Sequence, residues 1–353
     1  MTTSTTKPII LHLGDPIHYN QDLEKSHFNS SHFTIIRPST EERSRQTFIQ
    51  SLKEQKWGQF TAIFRPFWDT GNEMAPWNSE LIDLLPSSCK ISASAGAGYD
   101  WVDTSAMAAR GIIYCNGAPA CTESVADMAL WHIIGCFRSL VWSSTAARSG
   151  VPEEWMDAHA NVGREARNPK GLVLGIIGLG RIGYRIAEKV RGALGMSVRY
   201  FDTVRKDEEM ERAVGAEYVS SVESLVAEAD CVVLATPLVG DRKIVTRKLL
   251  GKFKTGGRFV NIARGKLVDE GALVEALKSG KLSSAGLDVF EDEPNVHPEL
   301  LGMRNVSLTA HNAGGTVDTK AGFERLAMEN ILGWLKEGRE GLKTAVNLEG
   351  LKD

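Results

Sequence analysis

Short runs of β-branched and other apolar residues alternate with helical stretches along almost the whole chain. That alternation calls for parallel sheets with helices on both faces. In the first half, residues 9–11, 33–36, 62–64, 91–94 and 112–114 read as about five short strands of one small α/β unit. Residues 122–147 follow as a helical segment, apolar over much of its circumference, which predicts burial between elements or between subunits.

The second half reads more sharply. Residues 172–177 form an unbroken apolar run, the pattern of a strand buried on both faces. Further strands are expected at 197–201, 231–235, 258–262, 284–287 and 306–308. Helical periodicity fills the gaps, as at 269–279, which Gly280 closes as a C-cap. A last helix at about 322–337 is expected to return to the first unit. Residues 161–170 are polar and end in Asn168-Pro169-Lys170, so they predict a loop entering the central strand. The fold class is therefore α/β, with two doubly wound parallel sheets.

Composition narrows the functional classes. A length of 353 residues suits about two domains. A net charge of -3 without a basic cluster argues against a nucleic-acid or anionic-membrane partner. The five cysteines are scattered and form no Cys-x-x-Cys or Cys/His ligand spacing, which predicts reduced thiols, a cytoplasmic setting and no metal. Residues 1–7 lack the apolar stretch of a secretory signal, and no run approaches the ~20 apolar residues that span a bilayer. Residues 351–353 are not a peroxisomal address.

The chemistry is concentrated in the second half. Gly178-Leu179-Gly180-Arg181-Ile182-Gly183 matches G-x-G-x-x-G directly after the buried strand and at the mouth of a helix. Gly178 permits a tight turn, Gly180 close approach of a pyrophosphate, and Gly183 packing of helix on strand. The next strand ends at Asp202, where a carboxylate can bond the ribose hydroxyls of an adenosine. Asp202 repels a 2′-phosphate and so favours NAD(H), with NADP less favoured. Arg205 and Lys206 stand close enough to soften that preference.

Three polar residues stand just past strands: Arg264, Glu293 and His311. In an open α/β sheet, ligands bind beyond the carboxyl ends of the strands, so these positions converge. A guanidinium can hold the oxygens of a 2-keto acid by paired hydrogen bonds. An imidazole can exchange a proton with the carbonyl oxygen, and a carboxylate can orient that imidazole. Glu291 rivals Glu293 in the same acidic run, and His297 rivals His311.

At this point residues 91–330 resemble the D-isomer-specific 2-hydroxyacid dehydrogenase family. Val260-Asn261-Ile262-Ala263-Arg264-Gly265 is similar to its arginine motif, and Gly286-Leu287-Asp288-Val289-Phe290 through Glu293-Pro294 to its glutamate motif. His311 fits its histidine, at family spacings of 29 and 18 residues. The resemblance implies Arg264 as substrate anchor, His311 as acid/base and Glu293 as its partner. It implies Gly178, Gly180, Arg181, Ile182, Gly183, Asp202, Thr236, Pro237, Ala263, Asp288, His311 and Gly314 at the cofactor, with Asp288 on the nicotinamide carboxamide. Ala95-Gly96-Ala97-Gly98-Tyr99-Asp100 is similar to the substrate loop, which places the Ala97 and Gly98 amides on the carboxylate. The implied architecture is two Rossmann-like or flavodoxin-like domains with an active-site cleft between them. Residues 1–118 with 315–353 would form a discontinuous substrate domain and 119–314 the NAD-binding domain, through which such chains pair as homodimers. The family often has proline before the histidine and glycine two residues after it; here Ala310 and Ala313 stand there.

Pro76-Trp77-Asn78, Leu85-Pro86-Ser87-Ser88 and Trp101 resemble fungal D-mandelate dehydrogenase-like members. That implies a bulky aromatic or branched 2-keto acid such as benzoylformate, reduced with NADH to the D-product. Arg65, Phe67 and Trp68 follow a strand and are candidates for the side-chain pocket, with ordinary packing the alternative for Phe67 and Trp68. Glyoxylate or hydroxypyruvate is the rival substrate. A non-catalytic NAD-sensing, corepressor-like protein is the rival class, since such proteins share the fold and the triad. Formate dehydrogenase would require an amide in place of Glu293.

Overall fold

The computed structural model describes residues 7–66, 73–238, 240 and 242–351. Phe67 and Trp68 lie outside the described residues, as do residues 1–6, 352 and 353. The chain divides into two compact units, Met1–Cys121 with Gly315–Asp353, and Thr122–Gly314.

The smaller unit is built on five parallel strands: β1 Ile9–His12, β2 Thr34–Ile36, β3 Ala62–Arg65, β4 Ile91–Ser94 and β5 Ile113–Cys115, in the order β2-β1-β3-β4-β5. Side chains alternate across the sheet, as a strand dictates. Ile10, Phe64, Ile91 and Ile113 enter one core with Phe28 and Met328. Leu11, Ile63 and Tyr114 enter the other with Phe48, Trp57 and Trp77. The first core is closed by the helix Val317–Glu337, which contributes Ala327, Met328 and Ile331. Its Thr316 cap accepts from the Thr319 amide at 3.1 Å, so the helix begins five residues earlier than the periodicity suggests. Glu324 on this helix is fully buried. Its carboxylate is solvated by the amides of His18, Tyr19 and Asn20 and by the Asn20 side chain, at 2.5–3.0 Å.

The larger unit carries β6 Val173–Ile177, β7 Ser197–Phe201, β8 Ala216–Tyr218, β9 Cys231–Leu234, β10 Gly257–Asn261, β11 Leu282–Leu287 and β12 Val306–Leu308. All pairings are parallel, in the order β12-β11-β10-β9-β6-β7-β8. The chain winds outward in both directions from β6. The switch between β6 and β9 opens a crevice at their carboxyl ends, the place where such sheets bind ligands.

Two further local expectations are corrected. The segment 122–147 is not one helix. It breaks at Ser139, whose φ of 49° lies in the left-handed region, into Thr122–Arg138 and Leu140–Ser149, bent by 80°. Residues 161–165 are helical rather than loop, because Pro152–Glu165 begins with proline at its first position and acids in its first turn, both strong start signals. That helix folds back on Leu140–Ser149 over Trp142, Ala146, Ala158 and Val162. β8, with only three residues, has too short a run to stand out in sequence.

His132, in the Thr122–Arg138 helix, is fully buried against the sheet. Gly286 of β11 makes room for it: a Cβ there would meet the His132 side chain at 2.7–2.9 Å. The ring bonds Ser307 Oγ through Nδ1 at 2.6 Å and Thr309 Oγ1 through Nε2 at 3.0 Å. The Thr309 hydroxyl proton goes to Asp288 at 2.7 Å, so Nε2 is the donor to Thr309 and Nδ1 accepts from Ser307. Burial pushes the imidazole pKa from 6.5 down to about 4. The folded ring is then neutral where the unfolded one binds a proton, so its stabilising effect is complete above about pH 6.5 and is lost as pH falls toward 4. The loss is on the order of 3 kcal/mol. His12 in the smaller unit is pushed down to about 4 by the same cause. The melting temperature is expected to drop between pH 6.5 and 4, with His132→Gln flattening part of that slope. A pH series of melting curves checks this, and parallel slopes for the two proteins would exclude the ring as a titrating group.

Candidate functional site

The glycine turn after β6 has the shape its residues allow. Gly178 adopts φ 98°, and a Cβ there would strike Ala235 O at 2.8 Å and Thr236 Cγ2 at 2.7 Å. Gly183 packs the helix Arg181–Leu194 onto the turn, where a Cβ would meet Gly178 O at 2.1 Å. Gly180 differs. Its φ is -76° and nothing lies within 4 Å of a Cβ built on it. The protein itself does not demand glycine there, so the open cradle is room for something else. No side chain caps this helix start, which leaves the amides of its first turn, from Arg181 and Ile182 onward, facing the cradle. Thr236 Oγ1, just past β9, is buried and has no hydrogen-bond partner among the described residues. Asp202 sits at the end of β7, its Oδ2 accepting from the Leu179 amide at 3.0 Å and lying 3.1 Å from Lys206 Nζ. An open glycine cradle, an uncapped helix start and an orphan hydroxyl fit the phosphates and ribose of a dinucleotide.

β10, β11 and β12 are neighbours, and each carries one residue of the proposed triad in the loop beyond it. His311 Nδ1 lies 2.7 Å from Glu293 Oε2. The other Glu293 oxygen accepts the Phe290 amide at 2.9 Å, which fixes the carboxylate plane. His311 has φ 48°, an unfavourable conformation for a residue with a Cβ. The loop is held there by Asp288. Its carbonyl accepts the His311 amide at 2.8 Å, and its carboxylate accepts the Asn312 and Ala313 amides at 3.1 and 3.0 Å and the Thr309 hydroxyl at 2.7 Å. Asp288 is 1% exposed. It therefore positions the histidine loop, whatever it contributes to a nicotinamide carboxamide.

Arg264 leaves β10 on a turn organised by Asn261. The Asn261 side chain accepts the Ala263 amide and donates to Arg264 O, both at 3.0 Å. Arg264 Nη1 donates to Ala263 O at 2.8 Å. Gly265 then presses on the glutamate loop so closely that a Cβ would fall 1.8 Å from Phe290 C and O. Asn261 and Gly265 fall inside the Val260–Gly265 motif, whereas nothing in residue type or spacing marks Thr309 along the chain.

The rivals separate cleanly. Glu291 is paired with Lys243 and receives the Glu270 amide at 3.3 Å. His297 caps the helix Pro298–Leu301 by accepting from Glu299 N. Pro237 is exposed past β9, Ala263 is 7% exposed past β10, and Gly314 is half-buried beyond β12. In the smaller unit, Gly117 N holds the Gly96 carbonyl at 2.8 Å and Asn116 Nδ2 holds that of Ala97 at 2.9 Å. The amides of Ala97 and Gly98 make no hydrogen bond among the described residues, as a carboxylate-binding loop requires. Arg65 is 3% exposed, bonded to Ser94 Oγ at 3.1 Å and stacked 4.5 Å from the Trp101 ring. It is thus built into the packing beneath that loop.

Residues 130–313 match a family model described as "D-isomer specific 2-hydroxyacid dehydrogenase, NAD binding domain". A 4-methyl-2-oxopentanoate reductase A of Aspergillus oryzae is 34% identical over 334 residues, 94% of this chain and 96% of the relative. The apo structure of D-mandelate dehydrogenase from Rhodotorula graminis is 40% identical with a TM-score of 0.91, covering 97% of this chain and 98% of that one. A glyoxylate reductase structure from Paecilomyes thermophila is 34% identical with a TM-score of 0.86, covering 97% and 99%.

The glycines make a paired prediction. Gly180→Ala should melt near the wild-type temperature yet bind NADH at least tenfold more weakly, whereas Gly183→Ala should destabilise the fold itself. Melting curves beside fluorescence titration with NADH test both. Undiminished NADH affinity in Gly180→Ala would remove the cradle from the cofactor site.

Proposed function

The chain belongs to the D-isomer specific 2-hydroxyacid dehydrogenase family, oxidoreductases acting on the CH–OH group, and on that premise we propose that it interconverts a 2-keto acid and its D-2-hydroxy acid with His311, Glu293 and Arg264 as the reacting set. The observation that carries this reading is the 2.7 Å pair of His311 and Glu293 on a loop pinned by a buried carboxylate. A carboxylate can only accept, so Nδ1 bears the proton it receives. That leaves Nε2 as the atom that faces substrate chemistry.

When bound, the reduced nicotinamide supplies the hydride to C2 of the keto acid. His311, doubly protonated, gives its Nε2 proton to the carbonyl oxygen, so the product is the neutral hydroxyl and the ring is left uncharged. Glu293 keeps the ring oriented before and after transfer. In the reverse direction the neutral ring takes the hydroxyl proton. Arg264 offers a planar fork to the carboxylate and carbonyl oxygens. Gly178, Gly180, Gly183, Arg181, Ile182, Asp202, Thr236, Pro237, Ala263, Asp288 and Gly314 would hold the dinucleotide. Asp202 argues for NAD over NADP by repelling a 2′-phosphate.

Likeness to the mandelate and 4-methyl-2-oxopentanoate enzymes supports a bulky aromatic or branched substrate. The glyoxylate reductase likeness keeps a small keto acid as the second reading. Homodimer formation through the nucleotide-binding unit is part of the proposal. Trp131, Trp155 and Met156 there are 40–56% exposed and offer apolar surface that a partner subunit would cover. Light scattering at a monomer mass would contradict it.

His311→Ala should lower kcat by ~10²–10⁴-fold while NADH affinity stays within about twofold. Arg264→Lys should chiefly reduce kcat/KM for the keto acid, since a point charge does not reproduce the fork. The assay is steady-state turnover of benzoylformate, 4-methyl-2-oxopentanoate and glyoxylate with NADH. Tight NADH binding without turnover of any acid would favour a sensor, and full activity in His311→Ala would refute the acid/base assignment.

A further inference from the structure

The loop beyond β7 carries two cations beside Asp202, and each is held by an acid. Lys206 Nζ lies 3.1 Å from Asp202 Oδ2. Arg205, three residues past Asp202, donates through Nε at 2.9 Å and Nη2 at 2.8 Å to the two oxygens of Glu211. Glu211 lies in the helix Glu208–Val214 and is only 8% exposed. It is anchored from the sheet, because the fully buried Tyr200 of β7 donates its hydroxyl to Glu211 Oε1 at 2.6 Å. The same hydroxyl oxygen accepts the Lys206 amide at 2.9 Å. The guanidinium carbon stands 5.7 Å from the Tyr218 ring centroid. The Arg205 fork and the Tyr200 hydroxyl hold the Glu211 carboxyl down at about 2, and Glu211 raises the guanidinium in turn. The pair stays charged across any working pH.

We propose that Glu211 is a positioning residue for cofactor choice: by gripping Arg205 with both oxygens, it withholds from an adenosine 2′-phosphate the guanidinium that would otherwise receive it. This rests on the reading of Asp202 as the ribose ligand. The fork is the geometry by which arginine binds phosphate, and here it is already spent on a carboxylate. To turn to a phosphate, Arg205 must leave Glu211 with a buried carboxylate short of two donors, a costly state. Asp202 does the same to Lys206 by ion pairing. Two acids, not one, therefore set the preference for the unphosphorylated ribose. Replacing Asp202 alone removes one repulsion and frees Lys206, but leaves Arg205 locked.

The test is a double-mutant cycle on the full-length enzyme, with dissociation constants for NADPH and NADH and kcat/KM for each. Glu211→Gln should bind NADPH roughly tenfold tighter, a change of about 1.4 kcal/mol, with NADH affinity within about twofold. Arg205→Ala should abolish that gain in the double variant. Raised salt should shrink it, as screening demands. Tyr200→Phe keeps the ring, removes only the anchoring hydroxyl, and should move NADPH affinity the same way by less. It stands in if Glu211→Gln folds poorly. A gain that persists without Arg205, an unchanged NADPH affinity, or equal weakening of both cofactors would overturn the proposal. The last outcome would mean a purely structural pair. Asp202→Asn separates the underlying reading. If it leaves the NADPH/NADH ratio unaltered, the ribose site itself is misplaced. If it shifts the ratio while Glu211→Gln does not, only the latch fails.

Discussion

The buried carboxylate of Asp288 is the constraint on which the reacting geometry depends. Among the described residues, no cation belongs to the hydrogen-bond set that satisfies it. Its charge is met by two backbone amides, of Asn312 and Ala313, and by the Thr309 hydroxyl. Such a group is costly to bury unless its acceptors are filled, and filling them dictates the path of the chain. The chain beyond β12 must therefore turn through His311 at a positive φ, an arrangement of ~1–2 kcal/mol strain that the Asp288 contacts sustain. The strained residue is the one whose ring is then delivered to Glu293.

The support extends inward. Thr309, which serves Asp288, is itself fixed by His132, and His132 is seated on the bare backbone of Gly286. A core helix, a strand and the histidine loop thus share one hydrogen-bonded chain running from Ser307 to Asp288. On the neighbouring strands, Asn261 shapes the arginine turn and Gly265 allows that turn to touch the glutamate loop. Precision at the three polar residues arises from the one buried carboxylate of Asp288 and from small or neutral groups around them.

Charge is handled differently at the nucleotide end. There the two cations of the loop beyond β7 are exposed or half-buried, and each is matched by an acid, Arg205 by Glu211 and Lys206 by Asp202. A binding loop for a phosphate-bearing ligand that keeps its own cations neutralised relies on backbone amides and glycine space for the pyrophosphate. That division leaves the loop beyond β7 to discriminate at the ribose.

Much of this was legible along the chain, and the reason is local. A strand buried on both faces must be an apolar run, so β6, β9 and β10 announce themselves, and a dinucleotide turn needs glycine at set intervals. Asp202, Arg264, Glu293 and His311 follow strands by so few residues that their place at the carboxyl edge is nearly forced. The tertiary structure decided what sequence distance hides. Glu291 is engaged by Lys243, 48 residues away, while His297 is engaged locally as a helix cap. The break at Ser139, the seat of His132 and the gap that makes Gly265 obligatory each depend on contacts among separate elements. Sequence by itself set which residues could do the chemistry, because propensity, period and residue type act over a few neighbours. Which of them stand together was decided by packing, because a hydrogen bond or a clash depends on distance in space and not along the chain.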